Sequence, residues 1–209
     1  MLSFQTVFPD TLELLMRLTA LPMLSDTRLV GGTALALQLG HRRSVDLDFF
    51  GCVSTDTNSV IAELNKIGRV GIISCTETIR RLTIDDVKVD IVDYSDVPWI
   101  DGAVVSDNLR LASLRDIAAM KMNAIVGRGS RKDFVDLYFL LQHFSFSDIM
   151  DCYRQKYPAG TDYRAMMSSV YFKDAEIQPM PEMFSEATWD MMKSFIKRIV
   201  DHYNRKQIQ

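Results

Sequence analysis

LVGGTALALQLGHRRSVDLDFF, residues 29–50, joins a glycine turn, a short helix and an acidic strand in one continuous run. In an extended strand successive side chains point to opposite faces. Val45, Leu47 and Phe49 are therefore expected on the core side, with Asp46 and Asp48 together on the other. Two carboxylates held side by side resist ionisation unless a cation lies between them. Magnesium, a hard ion that prefers carboxylate and phosphate oxygens, is the natural partner. A solvated strand face carrying two acids by chance is the plain alternative. The upstream pair Gly31-Gly32 shifts the balance. It sits between a strand and a helix, where missing side chains let backbone N–H groups approach an anion at the helix amino terminus. Thr33 offers a hydroxyl as N-cap or phosphate contact. Thirteen residues separate Gly32 from Asp46, so a phosphate cradle and a metal site are paired within one unit. Arg42 and Ser44, just ahead of the acidic strand, are placed to reach a phosphate or to anchor the turn. His41 reads as structural.

A later strand supplies a third acid. In VKVDIVDY (87–94), Val87, Val89 and Ile91 form a core face, and Lys88 and Asp90 the opposite one. If this strand neighbours VDLDFF, Asp90 joins Asp46 and Asp48. Three acids suffice for a two-ion site, in which one ion activates an attacking hydroxyl and the other stabilises departing pyrophosphate. Asp93 is the rival, but it has core-face parity near the strand end.

Outward from these motifs the chain reads as two halves. Apolar spacing predicts a helix over 10–21, a strand over 28–30, a helix ending at Gly40 and another over 56–67. The β-branched runs up to Tyr94 predict an antiparallel meander, with IDDVK (84–88) as a hairpin turn. Beyond about Pro98 the periodicity turns helical over 113–126, 131–143, 147–156, 162–173 and 187–204. An α+β fold follows, with an α/β lobe over 1–105 and an all-helical lobe over 106–209. A cleft between them is the expected ligand site. With 47% hydrophobic and 24% charged residues the composition is that of an ordinary globular protein. No apolar run approaches the roughly 18 residues of a membrane span. The acid-bearing amino terminus does not read as a signal peptide, and the three scattered cysteines suit a reducing cytoplasm. The net charge of −3 gives no overall pull toward nucleic acid. Arg110, Arg115, Lys121, Arg128, Arg131 and Lys132, set against Asp116 alone, nevertheless form a basic stripe suited to a polyanion. Within the helical half, Phe134, Leu137, Tyr138 and Leu141 make a core stripe, with Asp133 and Asp136 on a different face. The methionines at 166, 167, 191 and 192 read as core filling.

These motifs together resemble the polymerase-beta-like nucleotidyltransferase superfamily. More closely, HRRSVDLDFF (41–50), KMNAIVGRGSRKDFVDLYFL (121–140), YFKDAEIQPMP (171–181) and Trp189 are similar to the AbiEii/AbiGii nucleotidyl transferase toxin family. The resemblance implies an enzyme with a polymerase-beta-like lobe, a mixed sheet flanked by helices, plus a helical lobe. It implies magnesium-dependent transfer of a nucleotide from a nucleoside triphosphate (NTP) to an acceptor hydroxyl on tRNA or protein, and a cognate antitoxin partner. Asp46 and Asp48 match the family's metal pair, and Gly31, Gly32 and Thr33 its phosphate turn. Lys121 matches the lysine expected to bind the triphosphate, and Asp133 the later functional acid. A small-molecule nucleotidyltransferase and a non-catalytic nucleotide-binding module are the rival readings on the same scaffold.

Overall fold

In the computed structural model, which describes residues 1–53 and 56–207, the β-branched runs build one mixed sheet. Its strands are β1 (Thr27–Leu29), β2 (Leu47–Gly51), β3 (Val70–Cys75), β4 (Ile79–Ile84), β5 (Val87–Asp93), β6 (Val104–Ser106) and β7 (Leu109–Leu111). They lie in the order β3-β4-β5-β2-β1-β7-β6. Strand β2 pairs antiparallel with β1 and parallel with β5, so the acidic strand occupies the middle of the sheet. Leu29, Leu47, Phe49, Leu82, Val89 and Ile91 alternate onto one face and are buried. Helices α1 (Pro9–Thr19), α2 (Gly31–Leu39) and α3 (Thr57–Leu64) add Leu15, Leu18, Leu35, Val60 and Leu64 to that core. The observed α+β architecture is the expected one.

Turn chemistry sets the hairpins. Asp85 and Asp86 have φ of 47° and 67° between Ile84 and Val87, the two left-handed residues of a tight hairpin turn. Asp107 and Asn108 repeat the device with φ of 52° and 62° between β6 and β7. That second hairpin was not anticipated, although Asp-Asn between two short apolar runs was its signal. It matters for the division of the chain. The compact units are Met1–Pro98 with Gly102–Ala112, and Trp99–Asp101 with the residues from Ser113 onward. The expected limit at residue 105 falls inside β6, whose partner β7 continues the first unit's sheet.

In the second unit α4 (Leu114–Gly127) packs against α5 (Arg131–Leu140), α6 (Phe146–Lys156) and α7 (Asp162–Ser168). Helix α8 (Trp189–Gln207) packs on α5 and α6. Serines start three of these helices: Ser113 caps α4, and Ser130 and Ser145 form capping boxes with Asp133 and Asp148. Phe134, Phe172 and Trp189 form an aromatic cluster, with centroids 4.8 Å apart for Phe134–Phe172 and 5.7 Å for Phe172–Trp189. The methionines behave differently from expectation. Only Met192 is fully buried, while Met167 and Met191 are exposed because α7 and α8 turn those positions outward.

A buried ion pair explains why Trp99–Asp101 belongs with the helices. Lys156 Nζ lies 2.9 Å from Asp116 Oδ1, with both side chains fully buried, and 4.4 Å from the centre of the Trp99 ring. Asp116 also accepts the backbone N–H groups of Ile100 and Asp101 and the Ser113 hydroxyl. Burial pushes its carboxyl up, but these donors and the Lys156 charge together hold it below the usual carboxylate range. No helix among the described residues is long and apolar enough to cross a membrane.

Candidate active site

The acidic face of the sheet is assembled by register. Asp48 and Asp90 are direct neighbours on the parallel strands β2 and β5, so both carboxylates leave the same face. This adjacency is the condition on which Asp90 was expected to join the pair. The Asp90 carboxylate is largely buried, and its Oδ1 has no hydrogen-bond partner. Its Oδ2 lies 3.5 Å from Lys88 Nζ and 3.8 Å from Arg81 Nε. Asp93, the rival, pairs with Gly51 at the strand end and accepts from the Ser95 N–H and hydroxyl.

Asp46 is placed by a different agent. Strand β2 begins only at Leu47, and Val45 is 49% exposed rather than in the core. Alternation therefore does not reach back to Val45, because the chain there is not yet paired in the sheet. The Asp46 carbonyl is instead held by the Thr33 hydroxyl, whose oxygen also lies within hydrogen-bond distance of Ser44 Oγ, at 2.9 Å. Thr33 is fully buried in the first turn of α2 and is not its N-cap, which is Val30. Its hydroxyl ties α2 to the start of the acidic strand.

The glycine turn lies directly against these groups. Gly31 has φ of 69°, and a Cβ there would run into the Asp48 carboxylate. A Cβ on Gly32 would meet the Arg42 guanidinium and sit 3.1 Å from Ser44 Oγ. Arg42 and Ser44 are buried, and Arg42 donates to the Arg43 carbonyl at 2.9 Å. Both residues pack under the turn. Val30 supplies no side-chain cap, and an α-helix leaves its first N–H groups without intrahelical acceptors. The amino terminus of α2 thus presents backbone donors beside Asp48, an arrangement suited to an anion.

Among the described residues no three His, Cys, Asp or Glu side chains converge closely enough to hold a metal ion. The donor set nonetheless fits a hard divalent cation in two respects. It is all carboxylate oxygen, and the buried Asp90 Oδ1 has no hydrogen-bond partner.

Lys121 and Asp133 form a separate constellation inside the helical unit. Lys121 Nζ is 2.6 Å from Asp136 Oδ2 and 3.2 Å from Asp133 Oδ1, and both aspartates are fully buried. Arg128 Nε adds a contact of 2.9 Å to Asp133 Oδ2. Asp133 and Asp136 were expected on a face away from the core stripe; instead α5 is buried on both sides. The Lys121 charge, facing both carboxylates, makes that burial tolerable. Two further cations of the basic stripe are also engaged within this unit. Arg115 pairs with Asp101, and Arg131 donates to the carbonyls of Ala175 and Glu176.

These contacts carry a pH signature. Burial pushes the Asp133 carboxyl up, but the Lys121 and Arg128 charges and the Ser130 hydroxyl outweigh it and hold it at about 2. The unfolded carboxyl protonates near ~3.9. The stabilisation, about 2 kcal/mol, is therefore complete above roughly pH 4 and is lost as the pH falls through 2. Urea midpoints measured at pH 5 and pH 2.5 should differ less in Asp133→Asn than in the parent. An equal difference would remove Asp133 from the acid response.

Known proteins resemble this chain in sequence and in fold. A family model described as "Nucleotidyl transferase AbiEii toxin, Type IV TA system" matches residues 13–206. An uncharacterized protein of Aquifex aeolicus (strain VF5) is 31% identical over 198 residues, covering 91% of this chain and 94% of that protein. The crystal structure of JHP933 from Helicobacter pylori aligns with a TM-score of 0.55 at 18% identity, over 96% of both chains. A second H. pylori crystal structure, assigned as a nucleotidyltransferase, aligns with a TM-score of 0.57 at 18% identity, over 97% of this chain and 99% of that one. At such identity the structures speak for the fold, and the family match speaks for the activity. The chain belongs to the AbiEii nucleotidyl transferase toxin family and is a nucleotidyltransferase of the toxin type.

Proposed function

We propose that this enzyme moves a nucleotide from a magnesium-bound nucleoside triphosphate to an acceptor hydroxyl on RNA, such as a tRNA end, or on a protein. In this reading it acts in the cytoplasm as the toxin of a pair whose other member is a cognate antitoxin. The observation that carries the reading is the Asp48–Asp90 register with the glycine turn packed against Asp48. Asp46, Asp48 and Asp90 would hold the metal, whose contribution is to neutralise the triphosphate and acidify the acceptor hydroxyl. The chain does the rest by position. Backbone N–H groups of Gly31, Gly32 and Thr33 bind phosphate oxygens, while Arg42 and Ser44 hold the turn in shape. Asp90, with an oxygen free of hydrogen-bond partners, accepts the proton of the acceptor hydroxyl.

The test is incubation with each labelled triphosphate, magnesium, and total RNA or cell extract. Label is expected in an RNA or protein band and only with divalent metal present. Asp90→Asn should lower transfer by about a hundred-fold or more, the usual worth of a positioned base. Asp93→Asn should change it little, since that carboxylate is occupied by Ser95. The opposite ranking would overturn the assignment of Asp90, and label transferred without metal would overturn the site.

A further inference from the structure

The sheet face that carries the carboxylates is laid out in rows across the strands. One row is charged: Arg81 on β4, Asp90 on β5 and Asp48 on β2 are successive register neighbours. The next row on that face is Ile79, Val92 and Phe50, again successive neighbours, and it carries no charge until Arg28 on β1. These three apolar side chains are half-buried, whereas Phe49 and Ile91 on the opposite face are in the core. Tyr94 follows β5 with the same parity as Asp90 and Val92. Its ring lies against Phe50, with centroids 5.2 Å apart and planes tilted by 52°. Its backbone N–H donates to the Gly51 carbonyl at 2.8 Å, which ties that ring to the end of β2. Asp48 and Phe50 are two residues apart on one strand, a rise of about 6.7 Å. The two sides of Asp48 therefore differ. Strand β1 runs antiparallel to β2 with Leu29 opposite Phe49, so the turn at Gly31 lies toward the start of β2. The aromatic row lies toward its end. A triphosphate with its terminal phosphates on the turn carries ribose and base at the other end of the phosphate chain, beyond the carboxylates. The surface reached in that direction is aromatic and uncharged.

We propose that Phe50 and Tyr94 seat the nucleobase of the incoming triphosphate, with Val92 completing the apolar floor. This rests on the nucleotidyltransferase reading above and supplies the half of the substrate that the carboxylates and the glycine turn do not hold. Ring faces carry no hydrogen-bond code, so the seat takes any of the four bases and contributes affinity rather than base choice. By holding the base, the two rings also fix the direction from which the α-phosphate meets the metal.

The test separates the base from the phosphates. The protein and its Phe50→Leu, Phe50→Tyr and Tyr94→Leu variants are titrated with magnesium and each of the four nucleoside triphosphates. A parallel titration uses magnesium and inorganic tripolyphosphate, which has the phosphates and no base. Leucine keeps an apolar side chain and removes the ring face. Both leucine variants should bind every nucleoside triphosphate about tenfold more weakly, the lower part of what one stacked base is worth. Their tripolyphosphate affinity should stay at the parental value, and Phe50→Tyr should behave as the parent. Urea midpoints check the fold, and Tyr94→Leu, at the margin of the sheet, decides the outcome if Phe50→Leu folds poorly. Parental affinity for nucleoside triphosphates in both leucine variants would overturn the proposal. Equal losses for tripolyphosphate and nucleoside triphosphates would overturn it too, since the rings would then only support the sheet. So would a raised KM for the acceptor with triphosphate affinity unchanged, which would give the seat to the acceptor. A parent that binds triphosphates through Phe50 and Tyr94 yet transfers no nucleotide would leave the seat standing and sink the transferase reading instead.

Discussion

Replacing Asp48 with Asn is expected to cut nucleotidyl transfer by at least about a thousand-fold, beyond the roughly 10- to 100-fold that losing an outer-shell partner costs a metal site. Asp48 stands at the junction of both halves of the candidate site. Its register neighbour is Asp90, and its carboxylate lies against Gly31. The substitution keeps shape and removes charge, so it should weaken divalent-ion binding while leaving the backbone intact. Stability should hold or rise slightly, because Asp48 and Asp90 repel in the absence of a cation. Asp46→Asn should follow the same pattern. Metal affinity by calorimetry, transfer by label and unfolding by urea separate these effects. Transfer at the parental rate in Asp48→Asn would remove the carboxylates from the chemistry and leave the glycine turn without a metal partner.

Lys121→Met is expected to be among the most destabilising single changes outside the apolar core. The lysine is 6% exposed and faces two fully buried carboxylates. Removing one partner of a buried ion pair costs about 3–5 kcal/mol, a large share of the roughly 5–15 kcal/mol that holds a typical protein folded. Asp133 keeps Arg128 and the Ser130 hydroxyl; Asp136 loses a cation 2.6 Å away. Adding Asp136→Asn to Lys121→Met should therefore recover part of the loss, as double-mutant coupling in one network requires. If Lys121→Met unfolds at the parental urea concentration yet binds triphosphate tenfold more weakly, the lysine is a phosphate contact and the buried cluster is not its main role.

Local sequence determined most of the strands, helices and turns, and the parity of the acids within a strand. Strand parity in VKVDIVDY separated Asp90 from Asp93, and the Gly31-Gly32 pair marked a close approach that Asp48 does make. These features are legible because pleat, helical period and the left-handed preference of glycine act over a few residues. Tertiary structure decided the rest. Only the sheet order made Asp48 and Asp90 neighbours, and a hydroxyl from α2, that of Thr33, holds the carbonyl of Asp46. From α5 alone Asp133 and Asp136 read only as a face apart from the core stripe. Burial became affordable when α4 brought Lys121 against them. An ionised group's environment depends on charges arriving from distant segments, and spacing along one helix cannot report those. Arg81 and Lys88 were ordinary strand cations until the register set them beside Asp90.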